Sequence, residues 1–171
     1  MSKEIEKNER SALAQNVVNQ PDGPGKRIGK RGEIIAFGKV VPGSVPLFRE
    51  RLPQFQAEAA YWEGRIGTVH DFRITLIDND TRILFAITYD GDFQPYVHDI
   101  IAKGHEWFDK LMPGVWEGFT HSQDPVVQKL LLEGTVTSDF FYVAHPDVTV
   151  HDIHKMKRLS NAVGEMLDAA A

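Results

Sequence analysis

The stretch Thr68-Val-His-Asp-Phe-Arg-Ile-Thr-Leu-Ile77, then Asp78-Asn-Asp80, then Arg82-Ile-Leu-Phe-Ala-Ile-Thr-Tyr89 decides the fold. Two runs rich in β-branched and aromatic residues flank a tight-turn composition, which reads as a hairpin. Side chains alternate between the two faces of a strand. In the first run, His70, Phe72, Ile74 and Leu76 share one side, and Asp71, Arg73 and Thr75 share the other. The apolar side has to meet helices, so Arg73 and Asp71 are expected on the opposite face, in mid-strand. In the second run, Leu84, Ala86, Thr88 and Asp90 alternate against Ile83, Phe85, Ile87 and Tyr89. Both sides are largely apolar, as in a strand covered on both faces.

Reading outward, Ile34 to Val41 is a short apolar run ended by Pro42-Gly43, so a strand. Ser44 suits an N-cap, and Leu47, Phe48, Leu52, Phe55, Ala59 and Trp62 recur at helical spacing. Pro53 predicts a kink or break inside that helix. On the other side, Asp90-Gly91-Asp92 precedes a second helix over Phe93–Leu111. Asp124-Pro125 opens a short helix ending near Gly134. Ser138–Ala144 reads as a fourth strand, closed by His145-Pro146-Asp147, and Thr149-x-x-Asp152 starts a final helix to about Ala169. The order β-α-β-β-α-(α)-β-α predicts an α+β fold: a ferredoxin-like βαββαβ unit with a four-stranded antiparallel sheet, an inserted short helix and a C-terminal helix. Helices cover one face of such a sheet, and the other needs a ligand, a domain or a second sheet. Pairing of sheets, and hence a homo-oligomer, is the expectation.

The charge is uneven. Residues 1–32 hold seven Lys/Arg against four Asp/Glu, and the other 139 hold twelve against twenty. Lys26, Arg27, Lys30 and Arg31 stand among glycines and prolines, a mixture that reads as a flexible linker. The expected division is therefore a flexible basic N-terminal arm over 1–32 and a ferredoxin-like domain over 33–171. Residues 2–19 could form a weakly apolar helix within that arm. The arm has no aromatic residue to stack on bases and the body is acidic, which argues against a nucleic-acid partner.

The chain is 171 residues, 42% apolar and 25% charged, enough for one real core. It has no cysteine, so disulfides, thiolate metal sites and a cysteine nucleophile drop out. No apolar run approaches the ~18–20 residues of a membrane span, and the charged start MSKEIEKNER is unlike a secretory signal. No membrane partner and a cytoplasmic location are expected.

Arg73 has two readings. One is an ion pair with Asp71, Asp90 or a partner-chain carboxylate. The other is an anchor for an anionic group, because guanidinium offers a planar donor fork that stays charged. His70 begins the strand, with its side chain expected on the helix-packed face. His145 follows the fourth strand at the sheet rim, a position suited to acid–base chemistry or axial ligation. His151 and His154 have the i, i+3 spacing of a metal pair, but a helix start also collects such residues as caps, and no metal site is expected. Trp107, Phe108, Trp116 and Phe119 read either as core or as the wall of an apolar ligand pocket. No phosphate-binding Gly-rich loop, G-x-S-x-G or H-E-x-x-H motif occurs.

The segments Thr68-Val-His70-Asp-Phe-Arg73, Leu84-Phe-Ala-Ile-Thr-Tyr89-Asp90-Gly91-Asp92-Phe-Gln-Pro-Tyr96 and Phe141-Tyr142-Val-Ala-His145-Pro146 resemble a group of poorly characterised ferredoxin-like domains. These belong to the dimeric α+β-barrel superfamily, with dye-decolourising peroxidases, chlorite-dismutase-like haem proteins and cofactor-free, antibiotic-biosynthesis-type monooxygenases. The resemblance covers about residues 33–155. It implies a cavity at the sheet, pairing of sheets, and peroxidase- or monooxygenase-like oxidoreductase chemistry on a small, partly apolar molecule. Haem is a cofactor it allows. The G-x-x-D-G pattern of the dye-decolourising peroxidases is absent, and Tyr89-Asp90-Gly91 keeps only its Asp-Gly. On this reading Arg73, His70 and Asp90 carry catalysis, and His145, Trp116 and Phe119 face a cofactor. The alternative is a non-catalytic ligand-binding or assembly module.

Overall fold

The hairpin that anchors the sequence reading is present in the computed structural model, which describes residues 16–169. In chain order the elements are β1 (Val17–Asn19), β2 (Lys26–Ile28), β3 (Arg31–Lys39), α1 (Val45–Ala57), α2 (Ala59–Ile66), β4 (Val69–Ile77) and β5 (Arg82–Asp90). Then follow α3 (Phe93–Leu111), α4 (Pro125–Glu133), β6 (Thr135–Val136) and α5 (Val150–Ala169). The fold is α+β, with an open, antiparallel six-stranded sheet ordered β1-β2-β3-β5-β4. The short β6 pairs with β3 at Ile35 and Ala36. The β4–β5 turn puts Asp78, Asn79 and Asp80 all at positive φ, a conformation Asp and Asn tolerate best among residues with a side chain.

One face of the sheet carries the core. Ile34, Ala36, Phe72, Ile83, Phe85 and Ile87 meet α1, α2 and α3 there. Phe55 of α1 stacks on Trp107 of α3, centroids 4.3 Å apart, and the Trp107 indole N–H donates to the Phe55 carbonyl at 2.9 Å. Large side chains buried this way stabilise by roughly 1.5–3 kcal/mol each. Gly38 of β3 has to be glycine, since a Cβ there would lie 1.9 Å from the Trp116 indole. Asp124 caps α4 by accepting from the Val126 N–H, and Thr149 and Asp152 close a reciprocal capping box at α5, as their spacing predicts.

Four expectations are corrected. The basic Gly/Pro-rich segment is no free linker over residues 17–32: β1 and β2 form a hairpin added to the sheet, and Arg31 and Gly32 belong to β3. Pairing with β3 overrides the weak local propensity, and Gly25, at φ +100°, lets the hairpin backbone approach Glu33. The remainder of the expected N-terminal helix, residues 2–15, lies outside the described residues. Ser138–Ala144 is not a strand. β6 pairs Val136 with Ile35, so its continuation in register would run onto Gly32 and Arg31, where β2 already holds that edge of β3. The chain after β6 instead crosses the face away from the helices, tied by Ser138, whose hydroxyl donates to Glu33. Pro53 is accommodated within α1, and the break comes at Glu58. The fourth correction concerns His70: Val69 pairs with Tyr89 and Asp71 with Thr88, so His70 is the extra residue of a bulge. It leaves the helix-packed face and turns to Asp90.

Candidate functional site

The face of the sheet without helices presents Arg31, Glu33 and Ile35 from β3, Asp71 and Arg73 from β4, and Ala86 and Thr88 from β5. The segment around Phe141–His145 and the start of α5 (Val148, Ile153, Met156) stand over it. Between sheet and segment is a concavity of about 970 Å³, open to solvent.

At its inner end lies a buried polar cluster. Asp90 Oδ1 accepts from Arg31 Nη1 at 2.7 Å and meets His70 Nε2 at 2.9 Å, and Asp90 Oδ2 accepts from the Val150 N–H at 2.7 Å. Arg31 Nη2 donates to the Val148 carbonyl at 2.6 Å and to that of His145 at 3.4 Å. Arg31 is only 4% exposed, so its charge requires these partners. Burial pulls the guanidinium down from its ordinary value, and Asp90 opposes that. Burial likewise pushes the Asp90 carboxyl up, against the Val150 N–H and Arg31. With Asp90 as a carboxylate, His70 Nε2 is the donor of that contact.

Arg73 lies at the outer, wetter part of the concavity, its side chain 70% exposed. Nε and Nη2 both donate to Asp71 Oδ1, at 3.0 and 2.6 Å, while Asp71 also accepts from the Thr88 hydroxyl. The ion-pair reading therefore describes part of the guanidinium. Nη1 makes no hydrogen bond among the described residues, which leaves one edge of the fork unbonded there.

The structure thus brings His70 and Asp90 together, and places Arg73 on the same concavity. His145 lines it as well, exposed at the rim. Trp116 and Phe119 do not join them. They are buried on the opposite side of the sheet, beside Ile34 and Ala36, where they line a separate apolar cavity. The residues present do not fit a haem: the three expected to surround it are divided by the sheet. Arg31 and Glu33 were the residues that sequence reasoning missed. Both alternate with Ile34 and Ala36 and so fall on the concavity, but Arg31, set among Gly and Lys, read as linker, and Glu33 stood just ahead of the strand assigned from Ile34. Among the described residues no group of three or more His, Asp or Glu is arranged to hold a metal ion, and no helix is long and apolar enough to cross a membrane. His154 instead approaches Glu63, at 3.6 Å. The chain matches no protein-family model, and no curated protein and no solved structure is significantly similar to it.

Proposed function

We propose that the chain binds a small, partly apolar molecule carrying an anionic group in the concavity on the open sheet face, and moves a proton on it. The observation that carries this reading is that Arg73 and His70, the latter bonded to Asp90, line one concavity with apolar walls from Ile35, Ala86, Val148 and Ile153. Arg73 would hold the anion, His70 Nδ1 would take a proton, and Asp90 would hold the imidazole in the required tautomer. The βαββαβ order of β3, α1–α2, β4, β5, α3 and β6, with β6, β3, β5 and β4 side by side, supports a ferredoxin-like reading of the fold. Together with the resemblance around His70–Arg73 and Tyr89–Gly91, it favours oxidoreductase chemistry of the cofactor-free, monooxygenase-like kind, in which the deprotonated substrate reacts with dioxygen. Titration with small aromatic carboxylates tests the anion site. Arg73→Ala is expected to weaken them by roughly tenfold or more, from the loss of a charge-assisted hydrogen bond, while leaving the fold intact. Carboxylates that fail to bind, or that bind equally to the variant, overturn it.

A second reading, assembly without catalysis, is favoured by the apolar surface around the same concavity. Phe140 is 83% exposed, and Tyr142, Met156, Leu159, Val163 and Met166 are also exposed. Such a surface suits a second copy of the chain packed on this face.

A further inference from the structure

Of the charged side chains from β3 and β4 that line the concavity, all but one have an opposite charge as partner. Arg31 is paired with Asp90, and Arg73 with Asp71. Glu33 is the exception. It is 4% exposed, and among the described residues no Lys, Arg or His side chain lies within ion-pair distance of it. A buried carboxylate without a counter-ion is costly, and a cation supplied from outside would offset that cost.

The hydrogen bonds of Glu33 are one-sided. Oε1 accepts from the Lys26 N–H at 3.0 Å, from the Ser138 N–H at 3.3 Å and from the Ser138 hydroxyl. That oxygen ties β2 and the chain after β6 to β3. Oε2 takes no part and makes no hydrogen bond among the described residues. The hydroxyl directly across the sheet, on Thr88, is given to Asp71 instead. Oε2 is nonetheless not sealed off: the side-chain polar atoms that are both sealed and unbonded among the described residues are those of Gln20, Thr68, Tyr96 and His105. The concavity is the space that Glu33 lines, so its second oxygen is open to a ligand there.

We propose that Glu33 Oε2 accepts from the ammonium group of the ligand, so that the molecule held in the concavity is a small zwitterion with its amine at Glu33 and its carboxylate at Arg73. The inference rests on the reading of the concavity as a ligand site and adds a second charge to that ligand. An ammonium suits the position better than a hydroxyl, because it brings both the missing donor and the missing counter-charge. The sheet sets the spacing. Asp71, Thr88 and Glu33 stand side by side on β4, β5 and β3, and Arg73 is two residues further along β4. From the separation of strands and the rise per residue, the Cα atoms of Glu33 and Arg73 are about 12 Å apart. Two side chains and a ligand of one ring, charged at both ends, can bridge that span.

The test titrates the isotope-labelled full chain with p-aminomethylbenzoate, p-hydroxymethylbenzoate, p-toluate and benzylammonium, followed by amide chemical shifts. The zwitterion is expected to bind roughly tenfold tighter than p-hydroxymethylbenzoate or p-toluate, the gain of one charge-assisted hydrogen bond, and to shift the resonances of Glu33 and Ser138. Glu33→Gln, which keeps an acceptor for Ser138, is expected to bring the zwitterion down to the affinity of p-toluate and to leave p-toluate unchanged. Equal binding of the zwitterion and p-toluate by the wild-type chain overturns the proposal, whether or not the variant folds. So does a gain that survives Glu33→Gln at full strength. Benzylammonium separates the two readings. If it binds and shifts Ser138 while p-toluate does not bind, the cation site stands and the anion reading falls. If p-toluate binds and neither amine gains over its neutral counterpart, the reverse holds, and no binding by any probe at millimolar concentration overturns both.

Discussion

At the scale of single residues, Asp90 has the largest consequences. Its carboxylate serves Arg31, His70 and the first N–H of α5 together. Removing it leaves Arg31 buried with its charge uncompensated, which costs about 3–5 kcal/mol. Asp90→Ala is therefore expected to lower unfolding stability in urea by that amount and to lose affinity for anions as well, whereas Arg73→Ala should lose only the affinity. Glu58, at the break between α1 and α2, behaves differently. It accepts from Lys110, Trp62 and Gln54, which hold its carboxyl down to about 2 from an ordinary 4.5. A depressed carboxyl stabilises the fold above its unfolded value and loses that contribution as pH falls through the folded one. Thermal unfolding of Glu58→Gln should accordingly start from a lower midpoint at neutral pH and vary less than wild type between pH 4.5 and 2. At this scale Arg73, Asp71 and Asp90 were legible from simple alternation. His70 was not, because a bulge shifts a side chain to the other face without leaving a mark in the sequence.

At the scale of elements, legibility followed locality. The β4–β5 hairpin, α3, the Asp124-Pro125 start of α4 and the Thr149/Asp152 box of α5 rest on contacts a few residues apart, and each lies where the residues predict it. The first hairpin and the missing strand over 138–144 depend on competition for one edge of β3 across more than a hundred residues. A strand-like run such as Phe140–Val143 carries no sign that its place is occupied. The tightest joint between elements is Gly38 against Trp116. Gly38→Ala should push the indole from its place and destabilise by ~1–3 kcal/mol, the usual cost of overpacking. A fall in denaturation midpoint together with a changed tryptophan emission would show it.

At the scale of the whole molecule, the two faces of one sheet have taken on separate chemistries. One holds an arginine–carboxylate–imidazole cluster beside an open concavity, and the other a mainly apolar cavity lined by no charged residue. The helix-covered face was readable, since periodicity identifies a core. What stands over the open face was not, because the covering segment has no regular period. The apolar residues of α5 recur as Met156, Leu159, Val163 and Met166, at alternating steps of three and four. Its basic residues Lys155, Lys157 and Arg158 precede its acidic Glu165 and Asp168, so two such helices laid antiparallel would match opposite charges. If copies pair in this way, the solution mass corresponds to two chains, and Leu159→Glu brings it to one.

The anchoring of α5 has a further consequence. Its Val150 is buried and tied to Asp90 at the first turn, while most of the helix beyond Ile153 is exposed. Such a segment can open as a unit of its own, well below the free energy that unfolds the sheet. In a single chain, amide protons beyond residue 153 should exchange with solvent long before those of β5, and trypsin should cut first at Lys155, Lys157 or Arg158. Slow exchange along that helix would then measure directly how firmly a neighbour holds it down.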